Sequence, residues 1–182
     1  MSLPPGIPQH FQADRLKFPA MLPEETLVMR AWLRAYEHLY DAFDYNTRIG
    51  AGDVPPNVTN EATVRDAVLN SQLRIDAVGW EGIAGYAPPT GQFPPSEVYK
   101  LFPNARATII EVKRRAATAA TNGIISYGHL WAHEYGQFPA PSRIIACASY
   151  SQTIQPILAR EGILLNVVTV DFTTLKPSFH KK

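Results

Sequence analysis

The most regular pattern of apolar residues near the N-terminus has the period of a helix and extends from Pro23 to Phe43. The apolar positions recur every four residues, at Leu27, Ala31, Ala35 and Leu39. A proline and two glutamates at the start suit a helix N-terminus, because the helix dipole favours anions there. Four aromatic residues widen the stripe beyond what one core face needs: Trp32, Tyr36, Tyr40 and Phe43. We therefore expect a helix here, with part of its aromatic face against another chain.

Farther along the chain, the apolar pattern changes to the alternation that is typical of a strand. From Gln72 to Trp80, alternate residues fall on two faces, with Leu73, Ile75 and Ala77 on one face and Arg74, Asp76 and Val78 on the other. Three later apolar stretches also predict strands: Ala107–Lys113, Ser142–Tyr150 and Ile163–Phe172. The second of these is apolar throughout, which suits a strand that is buried on both faces.

Helical patterns separate these strands. Helices are predicted over Asn60–Ser71, over Arg114–Gly136 and over a short stretch from Pro156 to Arg160 that ends at Gly162. Residues 46–60 and 81–104 contain Pro and Gly breakers and are predicted to be irregular. The order of elements predicts an α/β fold in which a central mixed β-sheet is flanked by helices, with parallel crossovers in the second half.

The chain of 182 residues is long enough to bury a core and is expected to form one compact domain. Residues 1–22 are interpreted as an extended, proline-containing arm. Residues 1–58 then comprise the arm and the aromatic-rich helix, and residues 59–182 comprise the α/β part. The sixteen prolines cluster in the arm and in loops.

Composition narrows the classes of function. The net charge is +1 and the pI is about 7.9, so no overall field attracts nucleic acid, and any such contact depends on a local patch. The single cysteine, Cys147, excludes a disulfide scaffold and indicates a reducing compartment. The N-terminus lacks the features of a signal peptide, and no apolar run is long enough to span a bilayer. We expect a protein that is not secreted and has no membrane partner, located in a virion or the host cytoplasm.

One group of charged residues suggests a chemical site. Glu111 and Lys113 share a face of their strand, and Asp76 lies on an earlier strand that is expected to pair beside it. Two carboxylates supply oxygen ligands for Mg²⁺ or Mn²⁺, which polarises a phosphodiester, while a lysine orients water or the developing charge. Without metal, the two carboxylates repel and at least one pKa rises. The alternative is an ion pair at the sheet edge, worth about 0–1 kcal/mol if exposed.

The stretches "RIDAVGW", "ATIIEVKRRAATAATNGIISYGHLW" and "RIIACASY" resemble, in their order, the PD-(D/E)XK or restriction-endonuclease-like superfamily, over roughly residues 60–172. The resemblance implies that Asp76 and Glu111 bind the metal and that Lys113 is the catalytic lysine. It also implies a glutamate from the preceding helix, for which Glu61 is the best candidate.

Many members of the branch that acts on DNA ends have Gln-x-x-x-Tyr on the helix after the lysine. This chain has Tyr127, but Gly123 stands where the glutamine would be. The separation of Asp76 from Glu111 is also long for the family. The stretches "YNTRIGAG" and "SYGHLW" are in addition similar to small nuclease-fold proteins of tailed bacteriophages, some of which are head-completion and neck proteins.

DNA contacts are predicted at Arg114, Arg115 and Tyr127. The run from Lys113 to Arg115 either contacts phosphates or forms a solvated helix start. Tyr127 is alternatively a core residue. His129 and His133 have the spacing of zinc ligands, but no third ligand accompanies them.

Two functions from different classes fit these observations. The favoured one is a structural virion protein, a neck or head-to-tail connector subunit that forms a homo-oligomer with other virion subunits. The near-neutral charge, the aromatic helix, the proline-rich arm and the missing glutamine favour it. The alternative is a Mg²⁺- or Mn²⁺-dependent DNA nuclease, which the Asp76, Glu111 and Lys113 set favours.

Overall fold

The computed structural model describes residues 13, 17–52, 60–84 and 95–175. Ten helices and strands follow one another in these residues, and a short 3₁₀ turn follows the first helix and another precedes the last. Their bounds are α1 Pro23–Tyr36, β1 Ala42–Ile49, α2 Glu61–Ser71, β2 Leu73–Glu81, α3 Pro95–Leu101, β3 Arg106–Ala116, α4 Thr118–Tyr135, β4 Ser142–Tyr150, α5 Gln155–Glu161 and β5 Leu164–Val167.

The five strands form one mixed sheet in the order β1-β2-β3-β4-β5. β1 and β3 are both antiparallel to β2, whereas β4 is parallel to β3 and β5 is parallel to β4. Helices α4 and α5 make the connections between the parallel strands, as such connections require. The predicted α/β fold, with a central mixed sheet, flanking helices and parallel crossovers in the second half, is confirmed.

Two apolar clusters hold helices against the sheet. One contains Trp131 and Ile124 of α4, packed with residues from β1 to β4, including the buried Cys147. The other contains Trp32 and Met29 of α1, packed with residues from β1 to β4. A fully buried side chain of this size stabilises the fold by about 1.5–3 kcal/mol, so α1 is an integral part of the structure.

The first helix is shorter than its sequence pattern predicts. It ends at Tyr36, and residues 42–49 form β1, so the predictions of a helix up to Phe43 and of irregular structure from residue 46 are wrong there. An interruption at Asn46 explains the error, because Asn46 has a left-handed φ of 59° and the side chains of Asp44 and Thr47 hydrogen-bond at 3.0 Å although they are three residues apart. The register with β2 is the same on both sides of Asn46, so no extra residue is inserted. This interruption breaks the period of two by which a strand is recognised in a sequence.

The aromatic residues of this stretch pack within the chain. Trp32 is fully buried, and its ring lies 5.3 Å from that of Tyr36, 5.9 Å from that of Tyr40 and 6.2 Å from that of Phe43. The width of the aromatic stripe therefore reflects the core around α1 and β1. It gives no support to the expectation that this face meets another chain.

Other boundaries differ by smaller amounts. Arg114 and Arg115 belong to β3, and α4 begins only at Thr118, so the prediction that these arginines start the helix is wrong. β5 ends at Val167 instead of Phe172, and the short α3 occupies residues predicted to be irregular. Helices α2 and α5 match their predictions, and α5 ends at Gly162 with a left-handed φ of 63°.

Most of the predicted N-terminal arm, and the proposed boundary between residues 58 and 59, lie outside the described residues. The part of the arm that is described contacts the fold. Arg30 Nε donates a hydrogen bond to Ala13 O at 3.0 Å, and the rings of Phe18 and Tyr45 are 4.9 Å apart. Within the described ranges, no helix is both long enough and apolar enough to cross a membrane.

Candidate active site

The candidate site lies where β2 separates from β3. The two strands pair from Glu81↔Arg106 to Ala77↔Ile110, and beyond Ile110 the residues of β3 pair with β4. Asp76 enters the opening that results, where its Oδ2 accepts a hydrogen bond from the backbone N of Val112 at 2.8 Å. The Asp76 carboxylate thus accepts a hydrogen bond that a backbone carbonyl of a paired strand would otherwise accept. The separation of β2 from β3 therefore fixes the position of this carboxylate.

Lys113 lies at the centre of this group. Its Nζ is 3.0 Å from Glu111 Oε1, 3.2 Å from Asp76 Oδ2 and 3.1 Å from Glu25 Oε1. It also donates to the carbonyl oxygen of Val112 at 2.8 Å. One ammonium group therefore holds together carboxylates from β2, β3 and α1, and we call Glu25, Asp76, Glu111 and Lys113 the carboxylate–lysine cluster.

The charges of this cluster shift one another's ionisation. Burial alone lowers the pKa of Lys113, but the carboxylates of Asp76, Glu111 and Glu25 outweigh it and raise that pKa above its usual value. Burial raises the pKa of Asp76, against the opposing effects of Lys113 and the Val112 N–H. Lys113 therefore stays an ammonium at neutral pH.

Glu111 is the most perturbed carboxylate. Burial, followed by repulsion from Asp76, raises its pKa to about 7, because these effects outweigh the attraction of Lys113. Its Oε1 contacts Lys113, whereas its Oε2 is buried and has no hydrogen-bond partner. The expectation that two close carboxylates raise at least one pKa is met here.

The unpartnered oxygen of Glu111 indicates what the cluster lacks. A buried carboxylate oxygen without a donor is costly, and a cation beside it and Asp76 would satisfy it and relieve their repulsion. Mg²⁺ commonly binds through one or two carboxylates and substrate phosphates, so two ligands suffice. The part of the chain that is described has no group of three or more His, Cys, Asp or Glu residues placed as a complete metal cage.

Gly123 and Tyr127 of α4 lie behind Glu111. A Cβ placed on Gly123 would be 3.7 Å from Glu111 Oε1 and 3.9 Å from Tyr127 Oη, so this helix faces the cluster at the position of the missing glutamine. Tyr127 is buried, and its hydroxyl donates to Arg74 O at 3.0 Å. Tyr127 consequently supports β2 from inside the fold and does not present its ring for the predicted DNA contact.

The third carboxylate of the cluster is Glu25 and not Glu61. Glu61 is exposed in the first turn of α2, and no ion pair or hydrogen bond joins it to the cluster. It precedes Ser71 by ten residues, which places it about 15 Å up the helix from the start of β2. The helix whose glutamate contacts Lys113 is therefore α1, and the role implied for Glu61 stays a prediction.

The remaining predicted residues lie around the cluster. Arg114 is exposed, pairs with Glu24 Oε1 at 3.7 Å and lies 4.9 Å above the Phe172 ring, and Arg115 is exposed on the same strand. Both are accessible for the predicted phosphate contacts. His129 and His133 are exposed on α4.

Comparisons with known proteins find similarity only to solved structures. No protein-family model and no curated protein matches the chain. A repair endonuclease from Pyrococcus abyssi aligns over 54% of this chain and 34% of its own, with 18% identity and a TM-score of 0.35. EndoMS in its apo form aligns over 37% of this chain and 28% of its own, with 23% identity and a TM-score of 0.30. EndoMS in complex with dsDNA aligns over 86% of this chain and 49% of its own, with 12% identity and a TM-score of 0.41.

The chain thus spans about a third of the Pyrococcus endonuclease and about half of EndoMS in the DNA complex. Its own architecture is a five-stranded mixed sheet with flanking helices. Because all three TM-scores are below 0.5, the functional case depends on this chain's own side chains. None of the three is a virion protein by its name, so the phage resemblance stays a prediction.

Proposed function

We propose that this chain is a nuclease that hydrolyses phosphodiester bonds of DNA with Mg²⁺ or Mn²⁺. The observation that supports it most is the state of Glu111, a buried carboxylate with one oxygen on Lys113 and the other unpartnered, next to Asp76. A purely structural ion pair would be expected to satisfy both oxygens. DNA is assigned as the substrate from the resemblance of these residues to the PD-(D/E)XK pattern.

Asp76 and Glu111 would hold the metal, as the sequence predicts. When bound, a divalent cation would polarise the phosphodiester and offset its charge. The two carboxylates come from neighbouring strands that separate at this point, so their spacing is fixed by the sheet. Ligands on strands are positioned more precisely than ligands on loops.

Lys113 would act on the reacting phosphate. It remains charged at neutral pH, and its ammonium group lies within 3.2 Å of both Asp76 and Glu111. Its three N–H donors already face four acceptors, so it would release one of them to donate a hydrogen bond to an incoming water or to the charge that develops on phosphate oxygens. Glu25, 3.1 Å from Lys113 Nζ, would hold the lysine in place from α1.

The test is a cleavage assay on linear and circular DNA, with Mg²⁺ or Mn²⁺, for the wild type and for Glu111→Ala, Asp76→Asn and Lys113→Ala. We expect each substitution to lower the cleavage rate by at least about 100-fold, since each removes a ligand or a charge at the reacting group. A parallel assay on single-stranded RNA checks the assignment of DNA.

The matched control is Glu81→Gln. Glu81 is a carboxylate at the opposite end of β2, paired with Arg106 at 2.7 Å, and its replacement should leave the rate unchanged. A folded wild type that cleaves nothing with either metal would refute the proposal. So would a Glu111→Ala protein that cleaves as fast as the wild type, since a contaminant would then be responsible.

The connector function, in which the chain forms a homo-oligomer and binds other virion subunits, remains a prediction. No contact or surface in the described ranges specifically favours it, and the aromatic face that suggested a partner is packed inside the chain. Light scattering separates the two functions, because a connector forms a ring of defined mass and a nuclease of this kind does not require one.

A further inference from the structure

Two arginines face each other across the outer pair of strands. Arg48 of β1 and Arg74 of β2 are direct partners in the antiparallel register. Side chains in such positions have Cβ atoms about 4.5–5.5 Å apart, and like charges placed directly opposite each other destabilise a sheet. The repulsion between the two arginines lowers the stability of the sheet. A bound anion would offset that repulsion.

The far end of the same sheet shows the usual arrangement. Arg106 of β3 is the cross-strand partner of Glu81 of β2, and their side chains form an ion pair at 2.7 Å. In contrast, no carboxylate of the described residues forms an ion pair with Arg48 or Arg74. Arg48 is exposed and Arg74 is half-buried, so both guanidinium groups have access to a ligand.

The pair lies at the same end of the sheet as the carboxylate–lysine cluster. β3 is antiparallel to β2, so the start of β2 and the end of β3 are neighbours, and Arg74 precedes Asp76 by two residues, about 7 Å along the strand. The flanking Ile49 and Ile75 are buried in the apolar cluster under α4. By the period of two, Arg48 and Arg74 point to the opposite face, which is the face of α1.

The backbone at this point is fixed. Arg74 O accepts the hydrogen bond of the buried Tyr127 hydroxyl at 3.0 Å, and Gln72 Nε2 donates to Gly50 O at 2.6 Å, which ties the two strand ends together. The two guanidinium groups are therefore carried by a strand pair whose backbone is held by these hydrogen bonds. Guanidinium groups suit phosphate because they donate two parallel hydrogen bonds to it.

We propose that Arg48 and Arg74 bind the phosphodiester backbone of double-stranded DNA next to the phosphate that is cleaved. This inference rests on the proposed function and adds to it the residues that hold the substrate. The pair makes no contact with the cluster itself. Its role is to bind and position DNA, so it should be visible in binding without any cleavage.

The experiment measures the affinity for a fluorescent 20-base-pair DNA by anisotropy between 50 and 200 mM salt in EDTA, which prevents cleavage. Each phosphate contact contributes about 0.9 to the slope of log affinity against log salt. For Arg48→Gln/Arg74→Gln, we expect the slope to fall by roughly two units. Over this fourfold salt range, its affinity should therefore change about tenfold less than that of the wild type.

Arg106→Gln is the matched control, since it removes an arginine of the same sheet that already has a carboxylate partner. Its slope should equal that of the wild type. Arg48→Glu is a second variant that tests the structural alternative. It creates a cross-strand Glu–Arg pair like that of Glu81 and Arg106, so it should weaken DNA binding while leaving the melting temperature unchanged or raised.

The outcomes separate this inference from the proposed function. Wild-type binding and cleavage with an unchanged slope for the double variant would overturn the role of the arginine pair and leave the nuclease in place. Tighter binding of an RNA duplex, measured in the same way, would overturn the assignment of DNA. A wild type that cleaves DNA but shows no slope difference between Arg106→Gln and the double variant would likewise count against the pair. Loss of cleavage in Glu111→Ala with normal binding, together with a reduced slope for the double variant, would support both.

Discussion

At the scale of single residues, Glu111 links the proposed chemistry to stability. Burial and the nearby Asp76 raise its pKa from 4.5 to about 7 in the folded protein. The folded state therefore holds a proton that the unfolded chain releases, so this stabilisation is complete below pH 4.5 and is lost as the pH rises through 7. The shift corresponds to at most roughly 3 kcal/mol.

We predict that Glu111→Gln is more stable than the wild type at pH 8, by up to roughly 3 kcal/mol, because an amide needs no ionisation. At pH 4.5 the two proteins should be nearly equal. Urea unfolding followed by circular dichroism at both pH values measures the difference. A gap of the same size at both pH values would show that Glu111 is not the group that titrates.

Glu81→Gln serves as the control for this measurement. Its carboxylate is partly exposed and pairs with Arg106, so the difference from the wild type should change little between the two pH values. Adding Mn²⁺ at pH 8 should stabilise the wild type and not Glu111→Gln, since the ion binds the folded state through this carboxylate.

At the scale of elements, α4 contains two glycines in different surroundings. A Cβ on Gly123 meets only ordinary contacts at 3.7 Å or more, whereas a Cβ on Gly128 would be 2.9 Å from both Cδ and Nη1 of Arg143. The Arg143 guanidinium donates to the carbonyl of Glu161, so it cannot move without losing that bond. The same substitution should therefore have different effects at the two positions.

We predict that Gly123→Ala stabilises the protein by about 0.5–1 kcal/mol, because alanine favours a helix over glycine by about that amount. Gly128→Ala should be neutral or destabilising, since the crowding at Arg143 offsets the gain. Thermal unfolding of both variants measures the two effects. If Gly128→Ala stabilised as much as Gly123→Ala, the packing described for Arg143 would be wrong.

The elements also show which parts of the fold can be predicted from the sequence alone. Alternation and helical period predicted β2, β3, β4, α2 and α5, and the strand positions of Asp76, Glu111 and Lys113 brought these three residues together correctly. These predictions are correct because they depend only on the spacing of residues along each element and on the pairing of adjacent strands. Neither β1, whose period is interrupted at Asn46, nor Glu25, whose contact with Lys113 depends on how α1 packs, follows from such rules.

The carboxylate–lysine cluster illustrates the same limit within one site. The resemblance implies a glutamate from a preceding helix, and the glutamate that contacts Lys113 lies in the "PEE" start of α1. The choice between Glu25 and Glu61 required knowing which helix covers the sheet. That is settled by the apolar cluster around Trp32, which is a property of the folded chain.

At the scale of the whole molecule, the first helix is fastened to the last strand. Trp32 Nε1 donates to Asn166 Oδ1 at 2.9 Å, and Trp32 is fully buried. Removal of the acceptor would leave a buried N–H without a partner, which costs about 1–3 kcal/mol. The contact therefore helps to keep α1, and with it Glu25, against the sheet.

We predict that Asn166→Val lowers the free energy of unfolding by about 1–3 kcal/mol, whereas Asn166→Asp, which keeps an acceptor oxygen, loses less. Urea unfolding at neutral pH compares them. Equal losses for the two variants would mean that the side chain contributes through packing and not through this hydrogen bond.

The position of α1 over strands that follow much later in the chain has a consequence for synthesis. A ribosome adds about 5–20 residues per second, so the time between completion of α1 at Tyr36 and of β4 at Tyr150 is on the order of ten seconds. For that interval Trp32 and Met29 have no finished sheet to pack against. A nascent chain that stalls before β4 would display an apolar helix, which is the kind of surface that chaperones bind, and it would have no complete carboxylate–lysine cluster to bind metal.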